Sequence, residues 1–372
     1  MLAAVLHGVG DLRLEQVPAP EPGPGQALIR VRACGICASD VARIFETGTY
    51  RFPLIPGHEL AGEIERLGSD ARGIAPGTRC TAYPLIRCGA CESCRAGRPN
   101  LCDAYDYLGS RSDGGFAEYV VAPAENVIPL PRNVSFAAGA LTEPCAVALH
   151  AVRRAEVRPG DSVAVFGSGP IGTVIGLLCR IAGARVVMVD VDDRKLAAAR
   201  DVGLDEGVDG CGGADQLRDV VGRAGVSVAF EAAGAPGAFL DAASVVAKRG
   251  TLVLVGNMRG DVTLTQDEYS SILRREARIV GSWNSVPGRF GRDDWEQVLQ
   301  LMEEGRLPAE RLISHRFPLA QVHEALAVMW RGDAALRSAP AGRQCGEAAV
   351  RSAAKGRQRS GELHRRVMLE TG

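Results

Sequence analysis

No apolar stretch in this chain reaches the roughly 18 residues that a bilayer-crossing helix needs. Neither sign of charge is in excess: 43 Lys and Arg stand against 44 Asp and Glu, a formal net charge of −1. The first lack argues against a membrane span, and the second removes the electrostatic footprint that nucleic acid or a membrane surface would demand. The opening MLAAVLHG lacks the charged-then-apolar pattern of a secretory leader and reads as a strand. The chain is therefore expected in the cytoplasm, with no nucleic-acid or membrane partner. What is present is ordinary for a globular protein: 372 residues, 46% hydrophobic and 23% charged, enough for two domains with cores of their own.

Cysteine is not scarce. Of eleven, four crowd into the fifteen residues 88–102 and most others lie singly. That distribution points to a reducing compartment and a metal rather than to disulfides. Cys88, Cys91, Cys94 and Cys102 stand in RCGACESCRAGRPNLCD with C-x2-C-x2-C-x7-C spacing. Tetrahedral zinc wants four soft thiolates brought together by tight loops, and Gly89, Ala90, Gly97 and Pro99 suit such loops. The lobe 86–104 is expected to close around a structural zinc and to depend on it, so chelation should loosen it.

The stretch SVAVFGSGPIGTVIGLLCRIAGARVVMVD, residues 162–190, reads as strand, glycine-rich turn, helix and strand. Val163–Phe166 is a short apolar run suited to a buried parallel strand, and a helix is predicted over Ile171–Ala182. Between them Gly167, Gly169 and Gly172 have G-x-G-x-x-G spacing, running through Pro170 and Ile171 into the helix. Such a turn lets the backbone approach a pyrophosphate, and the helix N-terminus supplies free N–H groups. Asp190, ending the second strand, is placed to accept from ribose hydroxyls and to repel a 2′-phosphate, which favours NAD over NADP. Arg194 and Lys195 lie close by in the chain. Further strands at 226–231, 251–255 and 277–282, alternating with helices at 215–223 and 238–247, predict a doubly wound parallel sheet. Gly234 and Gly256, at strand ends, are candidate cofactor contacts, and each is equally well explained by turn geometry.

Residues 1–144 hold short strands and the chemically suggestive pieces CGICASD (34–40), PGHE (56–59) and, at 143–144, EP. A lone cysteine or histidine says little. In order, however, GICASD, PGHE, the four-cysteine lobe, GGFAEY, EP and GSGPIG resemble the zinc-dependent medium-chain dehydrogenases, the alcohol and polyol dehydrogenase family, over roughly residues 1–333. YDYLGSRSDGGFAEY, EPCAVALHAV and ILRREARIVGSW are most similar to galactitol-1-phosphate 5-dehydrogenases and the neighbouring sorbitol dehydrogenases. The resemblance implies an α/β protein: a GroES-like β-rich catalytic domain from 1–144 and 283–333, and a Rossmann NAD-binding domain from 145–282.

It further implies a catalytic zinc on Cys37, His58 and Glu143, with Glu59 reaching the metal directly or through water. Asp40 would orient His58, and Ser39 would relay the alcohol proton. Cys145 is the rival to Glu143, and Cys34 is read as packing. Two zincs per chain, NAD, and a homodimer or homotetramer follow from the same resemblance. The implied reaction oxidises a secondary alcohol of a polyol or polyol phosphate to a ketone. Alternatives are a threonine or simple-alcohol dehydrogenase, or a dinucleotide-binding protein without chemistry, damaged at its C-terminus. Arg43, Arg51 and Arg111 are candidate phosphate partners. Beyond Gly332 the resemblance fails. Residues 331–372 carry nine Lys/Arg against four Asp/Glu, and 334–372 are expected as a disordered extension unless Arg366–Leu369 supplies a terminal strand.

Overall fold

The computed structural model describes residues 1–291, 293–337 and 366–371, and two compact units emerge. One comprises Met1–Ala146, Ser285–Ala334 and Arg366–Gly372; the other is built on Val147–Asn284. The chain thus leaves its first unit within the helix Thr142–Ala155 and returns to it after Asn284.

The first unit is organised by the long strand Gln26–Ile36, whose alternating apolar and arginine residues bury one face. It pairs antiparallel with Glu59–Leu67 and with Tyr119–Pro123. The seven-stranded sheet runs Ile313–Pro318, Arg366–Glu370, Gln26–Ile36, Glu59–Leu67, Arg79–Ala82 and Val127–Pro129, with Tyr119–Pro123 joined to the third of these. Leu6, Ile29, Ile36, Leu60, Ile64 and Phe116 fill its core, together with Val367 and Leu369. Burial of each such large apolar side chain contributes about 1.5–3 kcal/mol.

Of the two expectations for the tail, the structure takes the second over its last residues: a terminal strand, Arg366–Glu370. It lies parallel to Ile313–Pro318 and antiparallel to Gln26–Ile36, and so closes the gap between them. Its apolar run VML could not stay in water once a slot of that shape existed. Residues 338–365 of the expected extension lie outside the described residues.

The second unit carries a six-stranded parallel sheet in the order Gly207–Asp209, Arg185–Asp190, Ser162–Phe166, Val226–Glu231, Val246–Leu254, Arg278–Gly281. Counted along the chain this is 3-2-1-4-5-6, the doubly wound order. Its direction reverses between Ser162–Phe166 and Val226–Glu231, and ligands of such sheets bind outside the strand ends there. The three-residue strand Gly207–Asp209 is too short to carry a periodicity, and sequence reading passes over it. Among the described residues no helix is long and apolar enough to cross a membrane.

Candidate metal centres and dinucleotide site

Antiparallel pairing of Gln26–Ile36 with Glu59–Leu67 sets Gly35 opposite Glu59. The end of one strand therefore meets the start of the other, and Cys37 arrives beside His58 and Glu59. A donor atom from each of these three lies within 4.8 Å of the other two. The approach leaves no room for a side chain at residue 35, where a Cβ would come 2.3 Å from Glu59 Oε2. Asp40, in the short helix Ala38–Ala42, is fully buried. Its Oδ1 lies 3.1 Å from His58 Nδ1, and its Oδ2 accepts the Cys37 backbone N–H at 3.1 Å. A carboxylate on Nδ1 fixes the ring and leaves Nε2 as the metal-binding nitrogen.

The electrostatics of the trio favour a cation. Burial pushes the Cys37 thiol up, but Arg366 and His58 beside it more than reverse this and bring it down to about 5. Burial also opposes a charged His58 ring, yet Asp40 and Cys37 raise it well above its ordinary value. Burial raises Glu59 well above the usual carboxylate range against the pull of Arg366. Both Glu59 oxygens are buried and, among the described residues, accept no hydrogen bond; Oε1 forms an ion pair with Arg366 Nη1, 3.0 Å away. A low-lying thiol, an oriented imidazole and a carboxylate without donors form a set that suits zinc.

Glu143 does not belong to the mutually close trio. It is buried at the start of the helix Thr142–Ala155, accepts from the Tyr107 hydroxyl at 3.3 Å, and its charge helps to raise Glu59. Cys145 is buried outside the trio as well, its thiol pushed up by burial. Cys34 packs in the core of the unit. Ser39 Oγ accepts from Arg43 Nη1 at 3.0 Å, and Arg43 also lies 3.6 Å from Asp40 Oδ1.

In the lobe, the thiols of Cys88, Cys91, Cys94 and Cys102 all lie within 4.8 Å of one another and none is in a disulfide. Sγ of Cys88 is 4.0 Å from that of Cys94, and Sγ of Cys91 is 3.9 Å from that of Cys102. Tetrahedral Zn–S bonds of about 2.3 Å require sulfur–sulfur distances of about 3.8 Å, so the cage fits zinc. Backbone N–H groups of Ala90 and Cys91 hold the Cys88 thiol down to about 6.

In the second unit the helix Pro170–Ile181 follows Gly169, where an added Cβ would meet nothing within 4 Å. At Gly172 it would meet Gly167 O at 1.8 Å. The turn is thus open where a pyrophosphate would approach and closed where helix meets strand. The buried Asp190 accepts the Ser168 N–H at 2.7 Å and the Asp192 N–H at 3.0 Å, with Lys195 Nζ 3.7 Å away. It thereby ties the glycine turn to the end of the neighbouring strand. Gly234 and Gly256 pack backbone on backbone: a Cβ on Gly256 would stand 2.4 Å from Gly234 N.

Sequence reading missed three residues. Arg366 is buried against Glu59, with Nη1 also donating to Ile36 O at 3.3 Å. Tyr107 bridges Glu143 and, ring to ring at 5.6 Å, His58. Glu231 is fully buried at a strand end, where Oε1 accepts from the N–H groups of Ala233 and Gly234 at 3.0 and 2.7 Å. The available signals were an arginine opening the apolar run RVML and a glutamate closing the run VAF.

Comparison with known proteins agrees with this arrangement. Residues 23–132 match the alcohol dehydrogenase GroES-like domain, and residues 170–304 match the zinc-binding dehydrogenase family. The chain is 35% identical over 350 residues to L-idonate 5-dehydrogenase of Vitis vinifera, covering 90% of this chain and 93% of that one. It is 33% identical over 312 residues to galactitol 1-phosphate 5-dehydrogenase of Escherichia coli (strain K12), covering 82% and 90%. The crystal structure of galactitol-1-phosphate dehydrogenase from Escherichia coli superposes with a TM-score of 0.86 at 29% identity over 100% of both chains. A zinc-binding dehydrogenase from Sinorhizobium meliloti 1021 bound to NADP gives 0.82 at 31% identity, covering 99% and 98%. Donor trio, cysteine cage, doubly wound sheet and these matches agree: the chain belongs to the zinc-dependent medium-chain dehydrogenases of the alcohol and polyol dehydrogenase family.

Proposed function

We propose that this protein oxidises a secondary alcohol of a polyol or polyol phosphate to a ketone, with NAD as hydride acceptor. The observation that carries the reading is the convergence of Cys37, His58 and Glu59 on one point, with His58 aimed by Asp40. Cys37 and His58 would hold a catalytic zinc, Glu59 would exchange with substrate at it, and Glu143 would complete the set. When bound, zinc supplies Lewis acidity that makes the alcohol easier to deprotonate, and NAD supplies the acceptor carbon for its hydride.

The chain's own residues do the rest. Asp40 holds the His58 ring in the tautomer that offers Nε2. Arg366, ion-paired with Glu59, would hold that carboxylate in place whether or not it contacted the metal. Ser39, whose Oγ already accepts from Arg43, keeps its own proton to pass on and so carries the alcohol proton outward. Gly169 and the first turn of the helix Pro170–Ile181 would receive the pyrophosphate, and Asp190 the ribose hydroxyls. Asp190 supports NAD rather than NADP, because a carboxylate there repels a 2′-phosphate. The names of the relatives support a polyol, polyol phosphate or sugar acid as the substrate class.

Metal content per chain, measured together with NADH production across a panel of polyols, polyol phosphates, threonine and simple alcohols, tests the reading. Two zincs and turnover of a polyol-type substrate are expected. Turnover undiminished after metal removal would sink it.

A further inference from the structure

Of the three arginines considered as anion partners, two are already engaged. Arg51 donates to Asp113 Oδ1 at 2.9 Å and to the carbonyls of Arg111 and Pro53 at 3.0 and 2.9 Å. Arg43 is held by Ser39 and Asp40. Arg111 differs. Its guanidinium lies over two rings, 4.0 Å from the centroid of Tyr50 and 4.5 Å from that of Tyr105. Its Nε is buried without a hydrogen-bond partner, and so is Oγ of the adjacent Ser112. No carboxylate among the described residues pairs with it.

Ring faces stabilise the cation but satisfy none of its in-plane N–H donors. Arg111 is therefore held between rings with no carboxylate to pair it, and its Nη groups, which make no hydrogen bond to the described residues, are the donors an anion would meet. Its position ties it to the metal centre. The N–H groups of Arg111 and Ser112 both donate to Tyr107 O, at 2.9 and 3.2 Å. Tyr107 in turn reaches Glu143 through its hydroxyl and His58 through its ring. Tyr105 lies against Tyr107 with ring centroids 6.3 Å apart. One turn thus joins the orphaned donors to the residues around the trio.

We propose that Arg111, through its Nη groups, forms an anion subsite that takes the charged end, phosphate ester or carboxylate, of a polyol whose carbinol carbon is at the metal centre. This rests on the reading of that centre as a polyol dehydrogenase and adds that the preferred substrate is an anionic polyol.

The test uses the full-length protein with three arms: a hexitol 1-phosphate, the matching aldonate and the neutral hexitol. Wild-type protein should prefer one anionic arm by about 10-fold or more in kcat/KM, and which arm wins identifies the anion. Arg111→Gln should lower the anionic-to-neutral ratio about 30-fold, mainly through KM, as expected for loss of a charge-assisted bond. Arg111→Lys should recover part of it, and Arg66→Gln, at an exposed arginine paired with Glu21, should leave the ratio unchanged. Inorganic phosphate should compete with the preferred substrate, its inhibition constant rising about 30-fold in Arg111→Gln. Equal use of all three arms by wild-type protein overturns the proposal, as does a uniform loss across the arms in Arg111→Gln. If no arm is oxidised, the dehydrogenase reading fails separately. Calorimetric titration with inorganic phosphate then decides the subsite: binding lost in Arg111→Gln upholds it, and binding equal in both proteins overturns it.

Discussion

Arg366 places Nη1 3.0 Å from Oε1 of Glu59, a residue from the far end of the chain, and both side chains are buried. The two strands that carry them each pair with Gln26–Ile36, one on either side. Among the described residues, an arginine from the last strand therefore provides the only ion partner of a carboxylate that no hydrogen bond satisfies. The same guanidinium helps to hold the Cys37 thiol down to about 5 against the effect of burial.

Removing one partner of a buried pair strands the other, so Arg366→Met should cost about 3–5 kcal/mol of stability. Deleting residues 366–372 should cost more, because Val367 and Leu369 are lost from the core as well. Urea unfolding followed by circular dichroism measures both. A deletion as stable as wild type would remove the strand from the account.

Cys88→Ser opens the sulfur cage. Zinc content should fall from two per chain to one, and brief proteolysis should cut within residues 86–104 while the second unit stays intact. Plasma emission spectrometry and mass mapping of the fragments read the two effects.

Cys37→Ser should abolish turnover while the affinity for NADH, followed by fluorescence, changes by less than about twofold, since the thiol takes no part in the dinucleotide turn. Asp40→Asn keeps the shape and removes the charge that orients His58. A loss of about 10- to 100-fold in zinc affinity is expected from competition with a chelating dye.

Wild-type protein should favour NAD over NADP by about 100-fold or more in kcat/KM, and Asp190→Ala should bring the two within about tenfold of each other. The variant also frees the Ser168 and Asp192 N–H groups that Asp190 now occupies. An unchanged NAD preference in the variant would show that the carboxylate is not the discriminator.

Glu231 is raised above 4.5 by burial, even though it accepts three backbone N–H groups. The folded chain thus holds this proton more tightly than the unfolded chain. Stability from this group is fully present below pH 4.5 and declines as pH rises through the higher folded value. Glu231→Gln should lack that decline, so its melting temperature relative to wild type should increase with pH across this window.

The dinucleotide turn and the cysteine cage were legible because each is local. A G-x-G-x-x-G turn or a C-x2-C-x2-C-x7-C loop brings its working atoms together within a few residues, so spacing along the chain is already geometry. The doubly wound parallel sheet of the second unit was legible for a related reason, since alternating strands and helices admit few right-handed windings; its edge strand Gly207–Asp209 was not. Arg366 and Tyr107 were not legible. Neither has a local pattern, and each acquires its role from a partner far along the chain. The same holds for the choice among Arg43, Arg51 and Arg111: composition counts three equal cations, whereas folding gives two of them partners and leaves one between tyrosine rings.

By itself, then, the sequence determined which chemistry the chain could hold: thiolates and imidazole for zinc, and a glycine turn for a dinucleotide. Only the tertiary structure decided which donors meet. That decision belongs to strand pairing across Gln26–Ile36, where the register that seals the core also sets Glu59 against Gly35 and Arg366 against Glu59. A shift of one residue would turn those side chains to the opposite face of the sheet.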